Sequence, residues 1–300
     1  MAQEIKRKGL GWAAVSISTL ISCVWAGWGI IENFHEGWYY PTLGMNLGLM
    51  LTQYLSPMLI FIGLTLLGIR KPRIAALFHV LIAGLATWFF RTGSIAATSL
   101  IITPLLGLGV LYWFGKVKQT TLATWVAVGL PIATLVLLGI SPAVRVAQRL
   151  DDGSLEAQLI VGNGTALIWA PDGPGWPDTG SDWHQAVESC RQLSEDGQTL
   201  TGKDQDIWRL PSVEEAVRSL TRAGKNSGGV WDPDPAEASY QVRPDKESPL
   251  WKVHSPVIYW WTASEVDQDR AYIIVYDGKV WPRSKDFGPD YLGFRCVKRP

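Results

Sequence analysis

Five apolar stretches, each near the length that crosses a lipid bilayer, occupy the first 141 residues, and nothing like them follows. They cover residues 9–31, 43–69, 74–90, 95–114 and 121–141. A hydrocarbon layer roughly 30 Å thick takes about 20 apolar residues in a helix, and water-soluble globules do not carry a series of such runs. Averages hide this, because a 300-residue chain that is 47% hydrophobic, 18% charged and formally neutral has the composition of an ordinary globule. The sequence divides into an apolar half, residues 1–141, a linker, residues 142–155, and a polar, Trp-rich half, residues 156–300.

Within a bilayer every peptide group must find its partner inside the segment, so each stretch is expected to be a helix, with Pro57, Pro104 and Pro131 as kink points. The cations set an orientation. Lys6, Arg7 and Lys8, then Arg70, Lys71 and Arg73, then Lys116 and Lys118 fall on alternate loops, hence on one face. The positive-inside rule makes that face cytoplasmic. The loop over residues 32–41 carries Glu32 and Glu36 but no Lys or Arg, and the other external turn offers only Arg91. Five crossings from a cytoplasmic amino terminus leave the polar half on the extracytoplasmic side, in the periplasm or at the surface of a bacterial plasma membrane.

Two processing patterns fall in the first stretch. Val24-Trp25-Ala26 has the form of a signal-peptide cleavage site, and Leu20-Ile21-Ser22-Cys23 that of a lipobox whose Cys is acylated. Apolarity continues through Trp28, Gly29, Ile30 and Ile31, which favours an uncleaved helix. Asn46, Gln53, Tyr54 and His79 are the polar groups inside the stretches, and a lone His on a helix is more often bonded to backbone than part of a relay. Gly44 and Gly48 form a small-xxx-small pair that would seat a neighbouring helix. No acidic residue lies deep in any stretch, which argues against a proton- or cation-coupled transporter.

Balanced charge, with no long basic block, gives no basis for nucleic acid as a partner. Of three cysteines, Cys23 falls in the first apolar run while Cys190 and Cys296 lie towards the two ends of the polar half. Two cysteines so placed suggest one long-range disulfide, provided that half faces an oxidising compartment.

In the polar half, Pro142 is expected to stop the last apolar helix, Arg145 and Arg149 to sit near the interface, and Asp151, Asp152 and Gly153 to break any continuation. Asn163-Gly164 between apolar runs reads as a hairpin turn. Ser181 or Asp182 caps a helix burying Trp183, Ala186, Val187, Cys190 and Leu193. Ser212 with Glu215 forms a capping box for a second helix, burying Val213, Ala216, Val217 and Leu220. Residues 224–256, rich in Gly, Pro, Asp and Ser, read as long irregular loops rather than a sheet. Tyr259-Trp260-Trp261-Thr262, residues 271–276, Lys279-Val280-Trp281 and Gly293-Phe294-Arg295-Cys296-Val297 read as closing strands, with Asp277-Gly278 as another tight turn.

The order Leu167-Ile168-Trp169, then Trp183 with Ala186 and Cys190, Trp208-Arg209-Leu210-Pro211-Ser212 with Glu215, Tyr259-Trp260-Trp261-Thr262, and Phe294-Arg295-Cys296-Val297 resembles the Lcl carboxy-terminal domain family. That family is similar to the formylglycine-generating-enzyme group, with a fold akin to C-type lectins. The resemblance covers residues 159–298, and Trp-Arg-Leu-Pro before a helix is its most specific element. It implies an α+β domain following the multi-pass α-helical membrane domain: two helices on a small twisted antiparallel sheet, termini close together. A bridge from Cys190 on the first helix to Cys296 on the last strand fits that arrangement.

Enzyme chemistry of the formylglycine-generating type needs reactive cysteines that hold copper, and a thiolate consumed in a disulfide neither ligates metal nor attacks substrate. His184 and His254 offer no nucleophile-base spacing, so no catalytic residue is expected. The binding candidates are Trp231, Asp232 and Asp234, with Glu237, and Glu265, Asp267 and Asp269 beside Trp260 and Trp261. Carboxylates on loops suit calcium, which Asp232, Asp234 and Glu237 would hold, although solvated surface acids are the simpler explanation; aromatic rings suit the apolar faces of sugars. Trp183 and Trp208 read as core, and Trp231, Trp251 and Trp281 as either core or platform. The expected role is a lectin-like, non-catalytic domain displayed outside the membrane to bind a glycan or an envelope or extracellular ligand. The alternative is a docking subunit of a membrane complex, since five helices exceed what anchoring requires.

Overall fold

A computed structural model describes residues 2–90 and 95–300; Arg91, assigned above to an external turn, lies outside them. The chain forms two compact units, one reaching Val144 and one running from Arg145 to Pro300, with the short segment Tyr39–Thr42 grouping with the second.

The first unit is helical: α1 (Ala2–His35), α2 (Leu43–Leu49), α3 (Ser56–Arg70), α4 (Pro72–Phe89), α5 (Ile95–Ala97), α6 (Thr103–Phe114) and α7 (Thr120–Ala147). Among the described residues four helical stretches are long and apolar enough to cross a membrane, Arg7–His35, Pro72–Phe89, Ile95–Phe114 and Thr120–Ala147. A fifth arises if the bent pair Leu43–Tyr54 and Ser56–Arg70, which turn 65° against each other, is taken as one span. The prolines explain the irregularities. A proline lacks an N–H and its ring crowds the carbonyl four residues back, so the preceding turn widens. Wide π turns at Met50–Tyr54 and Thr98–Ile102 stand just before Pro57 and Pro104. Pro142, by contrast, does not stop α7, which continues to Ala147. A proline removes one backbone bond, and the helix-compatible Ala143, Val144, Val146 and Ala147 carry the ladder past it.

Close helix contacts use glycines other than the expected pair. A Cβ on Gly11 would stand 2.5 Å from the Lys116 backbone, and one on Gly68 2.4 Å from the Tyr112 ring, whereas Gly44 and Gly48 have nothing within 4 Å. His79 is buried against Tyr112, and its Nδ1 donates to the Ala75 carbonyl at 2.7 Å, the backbone role expected of it. Cys23 is a free, half-buried thiol.

The second unit is α+β. Its strands are β1 (Gln158–Gly162), β2 (Thr165–Trp169), β3 (Thr221–Arg222), β4 (Lys225–Asn226), β5 (Val230–Pro233), β6 (Ala236–Ser239), β7 (Tyr259–Glu265), β8 (Arg270–Val275), β9 (Val280–Ser284), β10 (Leu292–Gly293) and β11 (Val297–Lys298). Two helices, α8 (Trp183–Arg191) and α9 (Val213–Ser219), accompany them. β1, β2 and β11 form one sheet, which brings the two ends of the unit together. A second sheet has the order β10-β7-β8-β9, and β10 runs parallel to β7, so it is mixed rather than wholly antiparallel.

Residues 224–256 are not loop throughout. They hold β4 and the hairpin β5–β6, while residues 240–258 carry no strand. Ala223 and Gly224, both at positive φ, make the tight β3–β4 turn, and Asp234-Pro235 forms the β5–β6 tip. Turn-forming residues thus mark hairpin ends here. Asn163 and Gly164, at φ 50° and 80°, close β1–β2 as expected.

Cys190 and Cys296 are joined by a disulfide across 106 residues, with Cα atoms 5.5 Å apart and both side chains wholly buried. The bridge belongs to the same buried core as Trp169, Trp208, Trp251, Trp260 and Trp261 with Leu193, Leu210 and Ile273.

Candidate ligand-binding surface

The Trp208-Arg209-Leu210-Pro211-Ser212 element ties three parts of the polar unit together. Trp208 enters the core and its Nε1 donates to the Ser194 carbonyl at 2.8 Å. The Arg209 backbone exchanges both hydrogen bonds with Val297, at 2.9 and 2.8 Å, and the Pro211 carbonyl accepts from Ala263 N–H at 2.7 Å. The Arg209 guanidinium grips Glu215 through two bonds of 2.7 and 2.6 Å, and Glu215 completes the capping box with Ser212. Burial would raise the Glu215 pKa, but hydrogen bonds from Arg209 and the Ser212 backbone, with the Arg209 charge, hold it below the ordinary value. A carboxyl with a depressed folded pKa contributes stability that is fully present above the unfolded value near 4.3 and lost as pH falls through the folded one. In Glu215→Gln, the slope of unfolding free energy against pH in that acid range flattens; an unchanged slope would assign it to another group.

The expected binding residues fall into three places. Trp231, Asp232, Asp234 and Glu237 share the β5–β6 hairpin, where Asp232 faces Glu237 across the pair. Trp231 is half-buried, its ring edge-on to Tyr272 of β8 with centroids 5.6 Å apart. Asp232 accepts from the Asp234 N–H at 3.0 Å. This hairpin keeps an indole and three carboxylates at the surface, the indole supported from the sheet.

The turn between β7 and β8 holds the second set, and two of its acids have cationic partners. Asp267 accepts from the Arg270 guanidinium at 2.8 and 2.6 Å and from two backbone N–H groups. Hydrogen bonding from Arg270 keeps its carboxyl below the ordinary value. Glu265 pairs with Lys285, which also donates to the carbonyls of Asp267 and Gln268 and stands 4.7 Å from the Trp183 ring centroid. These contacts fasten the turn. Asp269 is exposed on the same turn.

Trp260 and Trp261 are not surface rings. They are 1% and 0% exposed. Trp260 stacks on Trp251 at 3.8 Å and leans on Trp169, while Trp261 Nε1 donates to the Ser181 carbonyl at 2.9 Å. Both faces of β7 are covered there, so successive side chains are buried alike. Trp251 is therefore core, Trp281 is 40% exposed, and Trp183 is half-buried with its Nε1 bonded to the Thr262 carbonyl.

Among the described residues no group of three or more His, Cys, Asp or Glu is placed to hold a metal ion. His184 lies on the exposed side of α8, 3.8 Å from Asp286, and His254 stands 3.7 Å from Asp151.

Two features had no local trace in the sequence. One is a cleft of about 570 Å³ lined by Thr165, Leu167, Glu214, Arg218, Arg299 and Pro300, among others. The other is a buried ionic cluster. Asp245 and Glu247, whose carboxylates are inaccessible, meet Arg145, Arg149 and Arg222, with Asp245 bonded to Arg145 at 2.8 Å and to Arg149 at 3.1 Å. Lys246 between them is buried and donates to the Ser255 carbonyl. Ion pairs between residues about 100 positions apart leave no short-range pattern.

Compared with protein-family models, with curated proteins and with solved structures, the chain matches none.

Proposed function

We propose that the chain is a multi-pass protein of the bacterial plasma membrane, amino terminus in the cytoplasm, that holds a non-catalytic, lectin-like domain on the extracytoplasmic side to bind a glycan or another envelope or extracellular ligand. The disulfide between Cys190 and Cys296 carries this reading. Structural disulfides persist in oxidising compartments, and the alternating basic loops independently direct the polar unit there. Assignment of that unit to the Lcl carboxy-terminal domain family is supported by the Arg209–Glu215 clamp, the paired ends of the unit and the two helices. The β5–β6 hairpin is the ligand platform in this reading, because it carries the half-buried Trp231, supported by Tyr272, and the exposed carboxylates of Asp232, Asp234 and Glu237, groups suited to the apolar face and hydroxyls of a sugar.

Orientation is tested on unreduced spheroplasts with a membrane-impermeant protease: digestion of the polar unit in intact spheroplasts is expected, and protection until lysis would refute the topology. Binding is tested on a glycan array with the full chain in detergent. Trp231→Ala and Asp232→Ala are each expected to abolish the signal while leaving the unfolding midpoint near that of the parent. The docking-subunit reading draws on the number of apolar helices, since one would anchor the domain. A single dominant crosslinked protein with no glycan signal would favour it.

A further inference from the structure

Two spaces in the helical unit adjoin along α1. One is an apolar groove of about 390 Å³, walled by Leu20, Val24, Trp25 and Trp28 and by Leu100 and Pro104. The other, about 410 Å³, is walled by Trp25, Trp28, Glu32, Glu36, Gln53 and Tyr54. Trp25 and Trp28 line both, so the two spaces share the indole side chains as a common wall. Each volume falls within the ~300–1,000 Å³ usual for small-molecule sites.

The chemistry changes sharply from one space to the next. The groove offers little but hydrocarbon and indole, while the second space holds two carboxylates, and among the described residues no Lys, Arg or His lines either one. Burial, and then the charge of Glu32, push the Glu36 carboxyl up. Indole faces attract cations through the ring quadrupole. Between Glu32 and Glu36 in sequence, Asn33 is fully buried, and among the described residues neither polar atom of its amide has a hydrogen-bond partner. Its Oδ1 is 3.3 Å, and the Tyr54 ring edge 2.9 Å, from the point where a Cβ on Gly37 would stand. Unpartnered buried amides are uncommon in folded proteins.

We propose that the joined spaces bind a cationic amphiphile, its alkyl chain in the groove and its ammonium head among Trp25, Trp28, Glu32 and Glu36. Charge complementarity selects that occupant. A phospholipid head would bring a phosphate to a cavity walled by two carboxylates and, among the described residues, by no cation.

The test titrates the full chain, in nanodiscs of neutral lipid, with decyltrimethylammonium by calorimetry, subtracting empty discs. Decyl sulfate and decanol serve as probes of equal chain length. Saturable one-to-one binding is expected for the cation alone. It should weaken about tenfold or more in Glu32→Gln/Glu36→Gln, which removes the charges. Val24→Trp should weaken it similarly by filling the groove with both carboxylates intact; Val24 is 60% exposed, so a larger side chain is accommodated there. If the double variant fails to fold, Val24→Trp decides. Non-saturable partitioning of all three probes, equal saturable binding of the sulfate, or undiminished affinity in either folded variant would overturn the proposal.

Discussion

Replacing Cys190 and Cys296 together by alanine lowers the stability of the polar unit by about 3–5 kcal/mol. The bridge joins residues 106 apart, so its loss releases a long loop of the unfolded chain, and the chain-entropy cost of closing such a loop is near the upper end of that range. Both side chains are wholly buried among tryptophans, so the substitution also removes sulfur packing. Denaturant unfolding of the full chain in detergent, followed by tryptophan fluorescence, measures the difference. Reduced parent protein should unfold close to the double variant. A shift under about 1 kcal/mol would mean that the non-covalent core alone fixes α8 against the carboxy-terminal strand.

Asp245→Ala produces a loss of comparable size, about 3–5 kcal/mol, because removing one partner of a buried ionic cluster leaves the others uncompensated. Three guanidiniums converge on Asp245, from Arg145, Arg149 and Arg222, and its backbone neighbours Lys246 and Glu247 are buried with it. Glu247 shares Arg222 but does not reach Arg145 or Arg149. The residual positive charge is therefore greatest when Asp245 goes. A second substitution, Arg149→Met, should recover part of the loss in Asp245→Ala while destabilising the parent. Additive effects of the two changes would show that the pair is not coupled.

Local chemistry was readable wherever a residue type forces a backbone shape. The Asn163-Gly164 turn, the Asp182 and Ser212 caps and the buried stripe of α9 all follow from neighbours within four positions. The apolar stretches were equally plain in extent, though the wide turns at Met50–Tyr54 and Thr98–Ile102 were not, because composition does not change across them. Trp260 and Trp261, expected as binding rings beside Glu265, Asp267 and Asp269, are core, and nothing local in the sequence shows it. Alternation separates core from surface only on a sheet with one wet face, and β7 has two dry ones at that level.

Polar residues gave the opposite difficulty. Arg243-Pro244-Asp245-Lys246-Glu247-Ser248 has the composition of a solvated loop, yet residues 244–248 are buried, held by arginines from distant parts of the chain. Arg145 and Arg149 pair with Asp245 about 100 residues away, and their sequence neighbours give no sign of that partner. At the candidate surface, Trp231 with Asp232, Asp234 and Glu237 was legible as a group because the hairpin that unites them is local. Tyr272, the ring beneath Trp231, was not, as only the folded sheet brings it there.

The sulfur bridge also governs how damage to this protein would show itself. A protease cut at the Asp234-Pro235 hairpin tip falls inside the loop that the bridge closes, so the severed pieces stay joined. Nicked molecules would migrate as intact chains on a gel until a reductant is added, and ageing of the domain would be invisible to any assay that omits one.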